Sequence, residues 1–268
     1  MRSRIWIGTM VLALGTVACG ANAVAGPTTT SPALETTTTT EATTTTTAVP
    51  TTIAAPTTTT TVAATTTTAS ASPTTTALRG NPVDMGPPAG AILAVIGVRH
   101  DDVLNLRARP GADQPIVGRI PPTYDNLIAR GETRSLPAFW TKVRYQGTEG
   151  WVNMSYVAYL GSTDDTTAQV IDHFGERPEA STMTELGRIV AEASASDDPP
   201  SKIVNSVKES IGDLGEVTFD VVGLGDDAVR GVRLHVFGER VDDHWRLRTV
   251  EQTVFCHPTR GVDEGSCV

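Results

Sequence analysis

The side chains able to do chemistry here are three cysteines, five histidines, the Asp-Asp pairs at 226–227 and 242–243, and arginines set near aromatics. Cys256 and Cys267 bracket HPTRGVDEGS, with Gly261 and Gly265 to let the chain turn. In an oxidising compartment this spacing reads as a disulfide closing a small loop. Loop closure alone would contribute about 2–3 kcal/mol. Cys256, His257 and Cys267 would also offer three metal ligands, although the disulfide is the preferred reading. The other histidines, His100, His173, His235 and His244, are scattered, and none stands in a zinc-protease pair. No nucleophile elbow, phosphate loop or dinucleotide fingerprint is present. Asp226-Asp227 and Asp242-Asp243 suit weak Ca²⁺ binding, but as turn residues they need no ion. The expectation is a protein that is not an enzyme and takes no cofactor or metal.

The third cysteine, Cys19, lies in GTVACGANAVAG. Arg2 and Arg4 precede an apolar run from Ile5 to Val17, interrupted by Gly8 and Gly15. That is the plan of an export signal, and it is shorter than the ~20 apolar residues that span a bilayer. Cleavage before Cys19 fits a bacterial lipobox, with Thr16 standing where Leu is usual. Ordinary cleavage after Ala21-Asn22-Ala23 or Ala23-Val24-Ala25 fits as well. Pairing Cys256 with Cys267 leaves Cys19 without a partner. Residues 1–18 are therefore read as the signal, and Cys19 as a lipid anchor in the cell membrane facing the wall. The alternative is a secreted chain.

Residues 19–89 read as a stalk. From Pro27 to Leu78, 27 of 52 residues are Thr, spaced by Ala, Pro and a few Ser. Without aromatics and with few large aliphatics it cannot bury enough surface to offset its ordering entropy. Thr-rich sequence with Pro also matches an O-glycosylated stalk. As a disordered coil it would span about 40 Å. Net charge then splits the remainder, at +2 over Gly90–Gly161 and −11 over Ser162–Val268. Neither part is basic enough for nucleic acid, so no nucleic-acid partner is expected.

From residue 90 to 161, short β-rich runs alternate with turn signals. AILAVIGV, VLNLRARPG, PIVGRI and NLIARGE are succeeded by FWTKVRYQGTEGWVNMSYV, in which Trp140, Lys142 and Arg144 alternate with Thr141, Val143 and Tyr145. The stretch from Gln146 to Gly150 is a glycine-containing hairpin loop. Five or six short strands without a helical period predict a small all-β barrel.

LNLRARPG (Leu104–Gly111), VGRIPP and WTKVRYQGTEGWVNMSYV fall in the order of the motifs of bacterial SH3-like domains, and the segment resembles that family. Arg109 stands where the family often has a small residue, and Pro122-Thr123 replaces its usual glycine turn. The resemblance implies an SH3-like barrel that binds peptidoglycan, often through its peptide parts, or another envelope protein. Read from the residues, ligand contacts would come from loop-borne Arg109, Asp113, Tyr124, Trp140, Arg144 and Tyr156. Aromatic faces pack on sugars or peptides, and Arg offers a fork to carboxylates. Trp151 reads as core, and Asn105 and Arg107 as residues that hold a turn and the barrel edge.

Residues 162–268 begin with helical signals. TTAQVIDHFG places Val170, Ile171 and Phe174 at helical spacing and ends at Gly175. Thr182-x-x-Glu185 is a capping box before Met183, Leu186 and Val190. Ile203, Val204, Val207 and Ile211 form a further helical stripe ending at Gly212. The period then changes to 2 in EVTFDVV, GVRLHVFG and HWRLRTVEQTVF. These features predict an α+β domain, helices then antiparallel sheet, whose tail is fastened at Cys256. The tail resembles the C-terminal regions of actinobacterial envelope lipoproteins, which implies a location and not an activity. Taken together, the features predict a non-catalytic cell-envelope lipoprotein whose SH3-like domain binds the wall. The alternatives are an envelope interaction module in which the barrel is structural and, third, an enzyme of unrecognised type in the C-terminal domain.

Overall fold

The computed structural model describes residues 77–268. The signal segment, Cys19 and the stalk up to residue 76 lie outside the described residues. In the remainder of the stretch assigned to the stalk, β1 (Asn81–Pro82) pairs with Arg134 and Ser135 of a later strand. The barrel strands come next: β2 (Ile92–Val95), β3 (Leu104–Arg107), β4 (Ile116–Ile120), β5 (Leu127–Leu136), β6 (Ala138–Tyr145), β7 (Thr148–Asn153) and β8 (Val157–Asp165). A 3-10 turn, Met154–Tyr156, separates the last two. The β6–β7 hairpin closes at Gln146-Gly147, both with positive φ (46° and 83°), the backbone that a two-residue type I′ loop requires. Leu93, Leu106, Ile120, Leu127 and Val143 are fully buried in the barrel core, and Trp151 is 2% exposed.

The C-terminal part runs α1 (Thr167–Phe174), β9 (Glu179–Ala180), α2 (Met183–Ala193), β10 (Lys202–Ile211), β11 (Leu214–Val222), β12 (Val229–Val241) and β13 (His244–Cys256). Both helices pack on one face of the antiparallel sheet. Met183, Leu186 and Val190 meet Val217, Phe219, Val221, Leu234, Val236 and Leu247 there. Gly187 lets α2 lie close, since a Cβ at this position would sit 2.5 Å from Val217 Cγ1. Thr182 caps α2 by accepting the Glu185 N–H at 3.1 Å. The Glu185 carboxylate turns to the Ser181 hydroxyl (2.7 Å), so the box closes through the preceding serine. Gly175, left-handed at φ 76°, ends α1.

One predicted element is corrected. Lys202–Ile211 forms the edge strand β10, not a third helix. β10 pairs with β11 from Lys202–Val222 to Ile211–Gly215, with register shifts between Asn205 and Val207 and between Val207 and Ser210. Each irregularity breaks the period of 2, so the spacing of Ile203, Val204, Val207 and Ile211 imitates a helical stripe. In the strand Val204 and Ser206 point inward, while Val207 and Ile211 are exposed. The described chain is thus mostly antiparallel sheet with two short helices.

The two parts share strand β8. Its first residues pair with β2 (Val157 with Val95, Ala158 with Ala94), and its later ones with β13 (Tyr159 with Cys256 through to Asp165 with Glu251). The sequence division at residues 161 and 162 therefore falls inside a continuous strand. Hydrogen bonding runs unbroken in the order β10-β11-β12-β13-β8-β2-β5-β6-β7-β3-β4. Ala94, Ile96, Ala158 and Phe255 form a small apolar cluster at the junction. Cys256 and Cys267 are joined as a disulfide, and they close the C-terminal hairpin of β14 (Val262–Asp263) and β15 (Ser266–Cys267).

Candidate binding groove

β3 alternates buried Leu104 and Leu106 with Asn105 and Arg107, which face outward. The outward side forms one wall of a groove with a cavity volume of about 380 Å³. Trp140 of β6 and Tyr156 of the 3-10 turn supply its aromatic surface. The loop from Gly97 to Val103, between β2 and β3, forms another side and brings Arg99 and Asp102. Lys202, the first residue of β10, completes the lining from the C-terminal sheet.

The polar groups differ in how far they are already engaged. Arg99 is occupied by a two-point pair with Asp101, and this pairing raises the guanidinium pKa while lowering that of the carboxyl. Asp102 Oδ1 accepts the Val103 N–H at 2.8 Å. Arg107 Nη1 donates to the Gln114 carbonyl at 2.7 Å, holding the turn after β3 as its position in the sequence suggests. Lys202 Nζ lies 5.7 Å from the Tyr156 ring centroid and donates to the Gly97 carbonyl at 3.4 Å. Neither Arg107 nor Lys202 has a carboxylate partner within salt-bridge distance among the described residues.

Of the six residues singled out from the sequence, the fold brings Trp140 and Tyr156 together in the groove. Trp140 is only 5% exposed, so it contributes little free surface. The other four lie outside the lining. Asp113 is bound through both oxygens by Arg79 Nη1 (2.8 and 2.6 Å), and that bond, aided by Gln114, lowers its pKa. Tyr124 packs edge-on against Tyr145 with ring centroids 4.8 Å apart. Arg144 is exposed on β6 between Ile128 and Glu149, and Arg109 is half-buried in the turn after β3. Sequence reasoning missed Asn105 and Arg107 as lining groups, although their alternation with Leu104 and Leu106 marks them as outward-facing. It could not find Lys202, which is placed by a strand read as helix.

Among the described residues no cluster of His, Cys, Asp or Glu has the arrangement of a metal site. Cys256 is committed to the disulfide. Asp226 Oδ1 accepts the Ala228 and Val229 N–H groups, which fixes a turn.

Strands β2 to β8 form a small barrel with an open groove lined by aromatic and cationic side chains. Residues 102–158 match the family model of the bacterial SH3 domain, and this segment is a bacterial SH3-like domain. Comparisons of the chain with curated proteins and with solved structures give no match.

Proposed function

We propose that the chain is a non-catalytic protein of the bacterial cell envelope whose SH3-like domain binds peptidoglycan. In this reading residues 1–18 direct export and Cys19 carries the lipid that holds the chain at the membrane. The Thr-rich stretch carries the folded part toward the wall. Release by cleavage near Ala23–Ala25 gives the secreted alternative, with the same ligand. The observation that carries the proposal is the groove itself. It joins aromatic surface to two cationic groups not engaged by carboxylates, and apart from Gly97 to Arg99 and Lys202 its lining falls in the segment that matches the bacterial SH3 model. Sugars and peptides present apolar faces for the rings and carboxylates for the cations.

The test is sedimentation of the full chain with purified peptidoglycan. Wild type is expected to co-sediment. Ala112→Trp, which fills the groove from an exposed lining residue, is expected to lose retention while keeping the wild-type melting temperature. Tyr156→Ala is expected to lose retention with a lower melting temperature, because its ring also packs against the barrel core. Retention no better than that of a control protein, or undiminished retention of both variants, sinks the proposal.

A second reading rests on β8. A strand shared by both sheets makes the barrel a structural support for the C-terminal sheet, with another envelope protein as the partner. The groove variants would then leave that partnership unchanged.

A further inference from the structure

The groove draws its walls from both sides of the junction, and the part beyond the matched segment is charged. The loop from Gly97 to Val103 is fastened to the C-terminal sheet at three points. Gly97 N–H donates to Asp220 Oδ2 at 2.8 Å, Gly97 O accepts from Lys202 Nζ at 3.4 Å, and His100 N–H donates to the Asn205 carbonyl at 3.0 Å. The C-terminal sheet therefore both shapes the loop and contributes a cation to the groove.

Lys202 is held by position and not by a counter-charge. It opens β10 opposite Val222, and its ammonium group lies near the Tyr156 ring and the Gly97 carbonyl. An ammonium group so placed keeps donor capacity for a ligand. Arg107 lines the same groove with one amino group on Gln114 O, and its remaining donors are available to a planar acceptor. The carboxylate in the lining, Asp102, is already engaged with its own loop. The electrostatic balance of the groove favours an anionic ligand group, and the cation beside the Tyr156 ring comes from the C-terminal sheet.

We propose that Lys202 is a specificity residue of the groove. In this role it receives a carboxylate of the wall ligand, so that the binding site is a composite of the SH3-like segment and the C-terminal sheet. The proposal rests on the peptidoglycan reading above and deepens it by naming the ligand group. It also assigns the acidic C-terminal part a role in recognition, because without its sheet the loop loses its anchors and the groove one of its two cations not paired with a carboxylate.

The experiment measures affinity of the full chain for two preparations of the same peptidoglycan, one native and one with its carboxylates amidated. Lys202→Gln is expected to bind native wall about fivefold more weakly at low salt, the scale of one solvent-exposed charge contact. Lys202→Arg restores most of the affinity. On amidated wall, wild type falls to the level of Lys202→Gln and the two become equal. Free stem peptide and peptide-stripped glycan, used as competitors, identify which of the two carries the carboxylate. If Lys202→Gln binds native wall as wild type does while Ala112→Trp abolishes binding, the composite site is wrong and the groove reading stands. If Ala112→Trp also binds normally, the peptidoglycan reading itself fails. Lys202 is exposed, so neither substitution should disturb folding, which the melting temperature checks.

Discussion

Asp220 of β11 and Arg233 of β12 face each other across the ladder, and their ion pair fastens the C-terminal sheet to the barrel. Asp220 is fully buried, and its two oxygens meet Arg233 Nε at 2.7 Å and Nη2 at 3.0 Å. The same carboxylate accepts Gly97 N–H at 2.8 Å and the Ser206 hydroxyl at 3.1 Å. Arg233 continues across the junction to the Val95 carbonyl at 2.9 Å and lies 5.0 Å from the Phe255 ring centroid. A buried charge pair is tolerable only when its lone pairs and protons are this fully bonded.

Removing one partner strands the other. Asp220→Ala leaves a guanidinium whose side chain is 13% exposed without its counter-ion. The expected loss is about 3–5 kcal/mol, or roughly 6–20 °C in melting temperature for a fold of this size. Arg188→Ala, which breaks a surface pair with Glu192, should shift it by less than ~2 °C. Thermal denaturation of both variants, monitored by circular dichroism, makes the comparison. Equal shifts would deny the junction pair its role.

The disulfide ties the tail to the barrel core, where both half-cystines pack. Reduction should lower stability by about 2–3 kcal/mol, the loop-closure value for a separation of 11 residues. Urea midpoints with and without reductant measure the loss. Cys267→Ser should show the same loss and no further response to reductant.

His257 provides a pH dependence. Burial pushes its pKa below the ordinary imidazole value, and the Arg230 and Arg260 guanidinium groups add to the fall against a smaller opposing effect of Asp227. The neutral ring is what the fold holds, with Nδ1 beside the Thr259 hydroxyl at 2.7 Å. A depressed folded-state pKa means that the unfolded chain binds the proton more readily. Stability from this group is therefore complete above about pH 6.5 and is lost as pH falls through the lower folded value. Melting temperature should drop between pH 7 and 5, and His257→Gln should flatten part of that drop. An unchanged slope in the variant would assign the pH dependence to other groups.

Gly187 tests the packing of α2. Alanine gains about 1 kcal/mol of helix propensity. Its Cβ, however, meets Val217 Cγ1 at 2.5 Å and Phe219 Cε2 at 2.7 Å, an overlap that costs about 1–3 kcal/mol. The expected net result is a loss of about 1 kcal/mol or a few degrees, where an exposed helical glycine would be stabilised by the same change. Differential scanning calorimetry resolves the sign.

The barrel was legible because its signals are local. Leu104 and Leu106 alternate with polar neighbours, Gln146-Gly147 closes a hairpin, and Trp151 lies in a motif that resembles a known family. α1 and α2 were legible for the same reason, since Gly175 and Thr182 mark their ends by their own conformations. β10 was not, because its two register shifts turn a strand period into a helical one. The choice between them was made by β11, whose open edge needed hydrogen-bond partners that no local pattern announces.

By itself, then, the sequence determined the strands of the barrel, the two capped helices and the pairing of Cys256 with Cys267. All of these depend on neighbours in the chain or on counting. Only the tertiary structure decided that β8 serves both sheets, that Asp220 holds Gly97, and that Lys202 joins Trp140 and Tyr156 in one groove. Those contacts join residues 46 to 123 positions apart. Their closeness comes from sheet register and buried charge, which a period read along the chain does not encode.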